Sequence, residues 1–189
     1  MSGHFFIRAL FVALLGTSLF AAAPALAQVD RNAATLTRAL AYDYNLKSRA
    51  GDSVVVAILY RQGSAESEAM ADGWLRALRP LESAKIQGLP FRAVKLAWDA
   101  STKAALTAQG VDVLLTCEGL DADTAAVREL ARSRKLLTVG ARQSYVEEGM
   151  SLGVFTVGDR LQIWVNLKAA SEEGVSFSSD LLRLARVLK

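Results

Sequence analysis

Residues 53–60 read SVVVAILY, a β-branched and apolar run with no polar break, and they limit the choice of fold more than any other stretch of the chain. A strand with one wet face alternates apolar and polar residues. A run without alternation suits a strand covered on both faces, as in a parallel sheet between two layers of helices. Residues 64 to about 78 follow with helical spacing at Ala65, Met70, Trp74 and Leu75, and Pro80 interrupts near their end. The strand–helix unit then recurs: strand over 91–98, helix over 101–109 ending at Gly110, strand over 111–117, helix over 121–133, strand over 136–139. That alternation predicts a parallel sheet with right-handed crossovers.

The two ends of the chain depart from this pattern. Upstream, apolar residues at Ala34, Leu36, Ala39, Leu40 and Tyr44 predict a helix over 31–46 with Asn32 as its N-cap. Downstream, residues 152–157 and 160–166 are separated only by Gly158-Asp159, which suits a tight hairpin and makes the sheet mixed. Ser178 or Ser179 can cap a last helix over 180–188, with Leu181, Leu182, Leu184, Val187 and Leu188 facing inward. The expected fold is a single-domain α/β three-layer sandwich, its sheet mostly parallel, with a C-terminal antiparallel hairpin and a packed terminal helix. No Pro/Gly/Ser-rich linker divides the chain.

Residues 1–27 combine Arg8, an apolar stretch over 9–20 and the small-residue end Ala25-Leu26-Ala27, the organisation of a cleavable signal peptide. Residues 28–189 are then the exported domain, placed in the periplasm. Cleavage removes Arg8 and no acid, leaving 21 basic against 19 acidic residues, a net +2 without runs of one sign. Such a surface has no nucleic-acid footprint. The longest apolar run left, residues 54–60, is too short to cross a bilayer, so no direct membrane insertion is expected after cleavage.

Two residue types set the chemistry. His4, the sole histidine, lies in the leader, and Cys117 is the sole cysteine. The exported domain therefore cannot build a Ser-His-Asp or Cys-His pair, lacks the usual zinc ligands and cannot close an internal disulfide. Cys117, within an apolar stretch, reads as a buried packing residue. No catalytic residue, metal or cofactor is expected.

Three constellations remain. The turn 61–64 opens a helix, but it has a single glycine and is followed by Glu66 and Glu68, which suit the helix dipole and repel an anion. Glu118, Asp121 and Asp123 cluster beyond the third strand, where Asp121 or Asp123 can cap the next helix. In the hairpin, Val154 should oppose Ile163 and Leu152 oppose Val165 on a core face, while Phe155 opposes Gln162 and Gly153 opposes Trp164 on the other. Phe155, Gln162 and Trp164 are the candidate partner-binding residues, with burial under a covering element as the competing reading.

The C-terminal half resembles the YfiR-like family of periplasmic proteins. The resemblance rests on Leu137-Thr138-Val139-Gly140, Gly149-Met150, the hairpin end Val165-Asn166-Leu167, Ala169-Ala170, Gly174 and the stretch 178–187. Upstream, Arg38-Ala39 and Tyr42-Asp43-Tyr44-Asn45 match less closely, and Glu148 and Trp164 depart from the family's pattern. The resemblance implies a non-enzymatic regulator that binds the periplasmic part of an inner-membrane diguanylate cyclase and lowers cyclic di-GMP output, with a homodimer left open. The alternative is a solute-binding or transport-accessory protein using a strand-end crevice around Gly63, Glu118 and Gly140.

Overall fold

The computed structural model describes residues 22–189, and side chains from Ala27 onward. The expected leader therefore lies mostly outside the described residues. Helix α1, Ala22–Leu40, runs unbroken through the expected cleavage point. Asn32 is consequently inside the helix and not at its N-cap; it is buried, and its Oδ1 accepts a 3.0 Å hydrogen bond from Thr156 Oγ1. Nor does the helix reach residue 46. It ends at Leu40, and Leu46–Ala50 forms a separate short helix, α2. Between them the buried carboxylate of Asp43 accepts the backbone N–H of Asn45 and of Ser176, both at 3.0 Å, and a guanidinium N–H of Arg49 at 2.5 Å. These bonds satisfy Asp43 better than a continued helix would.

The strand–helix alternation appears as expected. Strand β1, Val54–Tyr60, leads into helix α3, Ala65–Leu78, then a short strand β2, Lys85–Ile86, and strand β3, Leu89–Ala97. Helix α4, Thr102–Gln109, strand β4, Val113–Thr116, helix α5, Thr124–Arg134, and strand β5, Leu137–Gly140, complete this part, in which β3, β1, β4 and β5 pair in parallel and only the unexpected β2 runs antiparallel, against β3. Ser64 caps α3 by accepting the N–H of Ser67 at 3.4 Å, while Glu68 accepts that of Gly63 at 2.8 Å. Gly110 takes the left-handed conformation that ends α4, which a residue with a Cβ rarely adopts.

Short helix α6, Gln143–Glu147, precedes the hairpin strands β6, Leu152–Val157, and β7, Arg160–Asn166. Their pairing is the expected one: Leu152 with Val165, Gly153 with Trp164, Val154 with Ile163 and Phe155 with Gln162. Helices α7, Leu167–Glu172, and α8, Ser179–Leu184, follow, with Ser178 capping α8 through the N–H of Leu181. The terminal helix is shorter than expected. After Leu184 the chain turns extended at Ala185, and Arg186–Leu188 forms strand β8, parallel to β7. Val187 and Leu188 are thus sheet residues. Pairing with the otherwise open edge beside Trp164, Val165 and Asn166 satisfies their backbone in a way that one more helical turn could not.

All eight strands join one sheet in the order β2-β3-β1-β4-β5-β6-β7-β8. Strict two-residue alternation sorts β1 between two cores. Val54, Val56 and Ile58 pack with α1 and α3 residues such as Leu36, Leu40, Trp74 and Leu78. Val55, Ala57 and Leu59 pack on the other side with Leu106 of α4 and Val127 and Ala131 of α5. The result is a three-layer α/β sandwich. Among the described residues no helix is long and apolar enough to cross a membrane.

Candidate functional site

The hairpin end of the sheet holds the residues with the strongest sequence signal for contact. Phe155 and Trp164 share one face of β6 and β7, their ring centroids 5.8 Å apart with the planes tilted by 52°. Neither ring is exposed: 5% of Phe155 and 1% of Trp164 reach solvent. Val146 from α6 and Leu188 from β8 close over them. Of the two readings that alternation left open, a covered face and a half-exposed patch, the structure shows the covered one, as a small third core. Its cover comes from two elements, α6 and β8, that the residue pattern did not announce.

Trp164 still shapes the surface above it. Its Nε1–H donates to Gln162 Oε1 at 2.8 Å, and the Arg186 guanidinium lies 4.4 Å from the ring centroid in a cation–π contact. Gln162 is half-buried, whereas Leu161 and Leu184 are 40% and 70% exposed. Together with Ile163, these residues line a groove of about 240 Å³ along β7. Gly153 lies beneath the aromatic pair because a Cβ there would come within 2.5 Å of Val146 and 2.8 Å of Phe155.

A second concave feature, about 330 Å³, opens at the C-terminal ends of β4, β5 and β6. Glu118, Arg142, Phe155 and Thr156 face it from the sheet side, Asn32 and Trp74 from α1 and α3. Of the three crevice residues suggested by sequence, Glu118 reaches it directly. Gly140 lies just before its Ala141 wall, with the space a Cβ would need already filled by Tyr145. Gly63 is not brought there; its turn is bridged to the 117–123 loop by Arg61, whose Nε donates to the Gly119 carbonyl at 2.7 Å and whose guanidinium also binds Asp123. Asp121 pairs with Arg142. The two aspartates thus serve as ion-pair partners across loops, and neither side chain caps α5.

Burial raises the proton affinity of Asp112, Cys117, Tyr145 and Glu173, and the last of these and Cys117 bear on what the site can do. Cys117 is fully buried and its thiol is pushed up to about 12 by burial, so it is a packing residue in the β4 end and not a nucleophile. Glu173, which carried no sequence signal, is buried beyond α7. Its carboxylate accepts the Thr138 N–H at 2.8 Å, the Thr138 hydroxyl at 2.6 Å and the Ser151 hydroxyl. Burial outweighs these bonds and lifts Glu173 to about 7. It therefore joins β5 to the start of β6, the seam between the parallel sheet and the hairpin.

A family model described as YfiR/HmsC-like matches residues 47–186, from α2 through the first residue of β8. The chain belongs to the YfiR/HmsC-like family. No curated protein matches it significantly in sequence. Among solved structures, it is similar to a conserved domain protein of Vibrio cholerae, with 15% identity and a TM-score of 0.60 over 85% of this chain and 60% of that one. An ABC domain from Streptococcus pneumoniae, solved with L-Trp, gives 15% identity and a TM-score of 0.56 over 87% and 60% of the two chains. The substrate-binding protein CD0873 of Clostridium difficile gives 15% and 0.52 over 77% and 57%. This chain spans about 60% of the length of the first two, and at such identity the likeness is one of fold.

Proposed function

We propose that this protein is a periplasmic regulator that binds the periplasmic part of an inner-membrane diguanylate cyclase and favours its inactive state. Membership of the YfiR/HmsC-like family over residues 47–186 carries the reading. The leader expected over residues 1–27 supports the compartment. No bond needs to be made or broken for such a role. A protein that binds the inactive receptor more tightly than the active one shifts the equilibrium by that difference alone, about 1.4 kcal/mol for each factor of ten. A domain without histidine after residue 4 and with its one cysteine buried suits a binder better than a catalyst.

The sequence candidates Phe155, Gln162 and Trp164 take different parts in this proposal. Gln162 lies at the contact, and Phe155 and Trp164 hold it in place from below. The test is direct: titrate the exported protein with the periplasmic domain of a membrane protein carrying a GGDEF domain, then measure cyclase output in membranes with and without it. Binding with lowered output is expected. Binding without any change in output, or no binding, would remove the proposal.

A second reading is favoured by one observation, the 330 Å³ crevice at the strand ends lined by Glu118, Arg142 and Trp74. A small solute held there would make the protein a solute-binding or transport-accessory component. Substituting Glu118→Gln and Arg142→Gln separates the readings. Receptor binding should survive both changes, whereas solute uptake by the crevice should not.

A further inference from the structure

Strand β7 is paired along its whole length with β6 but only from Trp164 to Asn166 with β8. Among the described residues no strand lies against the other edge of Arg160–Ile163. The direction of the backbone groups there follows from register. The Asn166 N–H donates to the Ser151 carbonyl on the β6 side at 2.9 Å, so alternation turns those of Trp164, Gln162 and Arg160 the same way. The N–H and C=O of Leu161 and the N–H of Ile163 point outward without a partner strand, while the Ile163 carbonyl faces the Arg186 N–H, as the pairing of Trp164 with Arg186 requires. An open edge of this kind is a template for another strand.

Apolar surface flanks the edge. Leu161 and Leu184 are the exposed walls of the 240 Å³ groove, beside Ile163 and the aliphatic part of Arg186. Asp180 and Arg183 pair with each other, and the remaining charges of these segments are mostly of one sign: Arg160, Arg186 and Lys189 against Asp159. A second copy of this chain would bring a like-charged edge to this one. An acidic strand would complement it.

We propose that the outer edge of β7 at Leu161 and Ile163 receives an extended acidic segment of the receptor by strand addition, main chain to main chain, with an apolar side chain seated between Leu161 and Leu184. This rests on the receptor reading above and names the chemistry of the contact. Strand addition draws affinity from backbone hydrogen bonds and specificity from the alternate side chains that meet the groove. The short β8 leaves just enough edge for two such residues.

The test uses the exported protein purified from the cell envelope and two synthetic hexapeptides, one alternating Glu and Val, the other alternating Lys and Val. With the Glu-Val peptide, hydrogen exchange at the Leu161 and Ile163 amides should slow by about ten-fold or more, and with the Lys-Val peptide by less than about two-fold. Leu161→Pro removes an outward N–H without touching the β6 ladder, and should weaken the Glu-Val peptide by about ten-fold or more where Leu161→Ala costs about three-fold. Should Leu161→Pro fail to fold, Arg160→Glu replaces it, with the expectation of about ten-fold weaker Glu-Val binding.

Unchanged exchange with the Glu-Val peptide, or equal binding by the Pro and unaltered proteins, overturns the proposal. So does protection that rises with protein concentration alone, which would assign the edge to a second copy. The receptor's periplasmic domain is titrated in parallel. If it binds and leaves both amides unprotected, the edge assignment falls while the regulator reading stands. If the peptide protects and the receptor domain does not bind, the regulator reading falls and the acidic-strand site stands.

Discussion

Strands β4 and β7 belong to one sheet, yet their burial follows different rules. Every residue of Val113–Thr116 is buried, because β4 lies mid-sheet with helices on both faces. Along Arg160–Asn166 burial is complete at Trp164 and Val165 and fades toward the exposed Leu161 and Arg160. The central strands are covered by long helices on both sides. The hairpin has α1 on one face, but its Phe155–Trp164 face is covered only by two short pieces, α6 and β8, that stop partway along it. Where the cover stops, main-chain groups and apolar side chains remain available, and that is the place a partner can use. Under the strand-addition proposal, the contact falls where this cover stops, beside the buried Trp164.

The sharpest way to break the comparison is at Trp164. If α6 and β8 cover it as described, Trp164→Ala should destabilise the fold by about 3 to 5 kcal/mol, measured by urea unfolding. Leu161→Ala, three residues away on the uncovered part of the same strand, should cost less than about 1 kcal/mol. Equal costs would mean that burial along β7 does not fade as described.

Glu173 sharpens the comparison because it sits on the seam between the two regions. Its folded value of about 7 stands above the ordinary 4.5, so between these pH values the folded protein keeps a proton that the unfolded chain has released. Stability from this group should be complete below about pH 4.5 and fall by about 3 kcal/mol as pH rises to 7. Glu173→Gln should flatten that slope. An unchanged profile in the variant would show that the slope comes from other groups.

Gly153→Ala probes the fit beneath the aromatic pair. The added methyl meets Val146 and Phe155, and the expected cost is about 1 to 3 kcal/mol. Gly63→Ala tests something different, since open space surrounds that position and only its φ of +80° opposes the change. A loss of about 1 kcal/mol is expected there, and a larger loss at Gly63 than at Gly153 would count against the tight packing of the hairpin end.

The smallest effect is expected at Cys117. Buried, unpaired and with its thiol pushed up to about 12, it should leave the melting temperature unchanged by reductant and resist thiol reagents until the protein unfolds. Rapid labelling of the folded protein would show that the β4 end is open.

Much of this was readable from the residues, and the reason differs by region. In the parallel part, an unbroken apolar run can be satisfied only by cover on both faces, so residues 53–60 already implied the layers, and Gly158-Asp159 with its flanking alternation implied the hairpin register pair by pair. Local geometry determined those features. What no window of residues could state is which element lies over which. The burial of Phe155 and Trp164, the passage of residues 186–188 from helix to strand and the seat of Glu173 on Thr138 and Ser151 each join positions far apart in the chain, 35 and 22 residues for the two Glu173 contacts, and were decided when an unpaired backbone or an uncovered face met the nearest group able to satisfy it; the open edge at Leu161 and Ile163 is what that cover leaves.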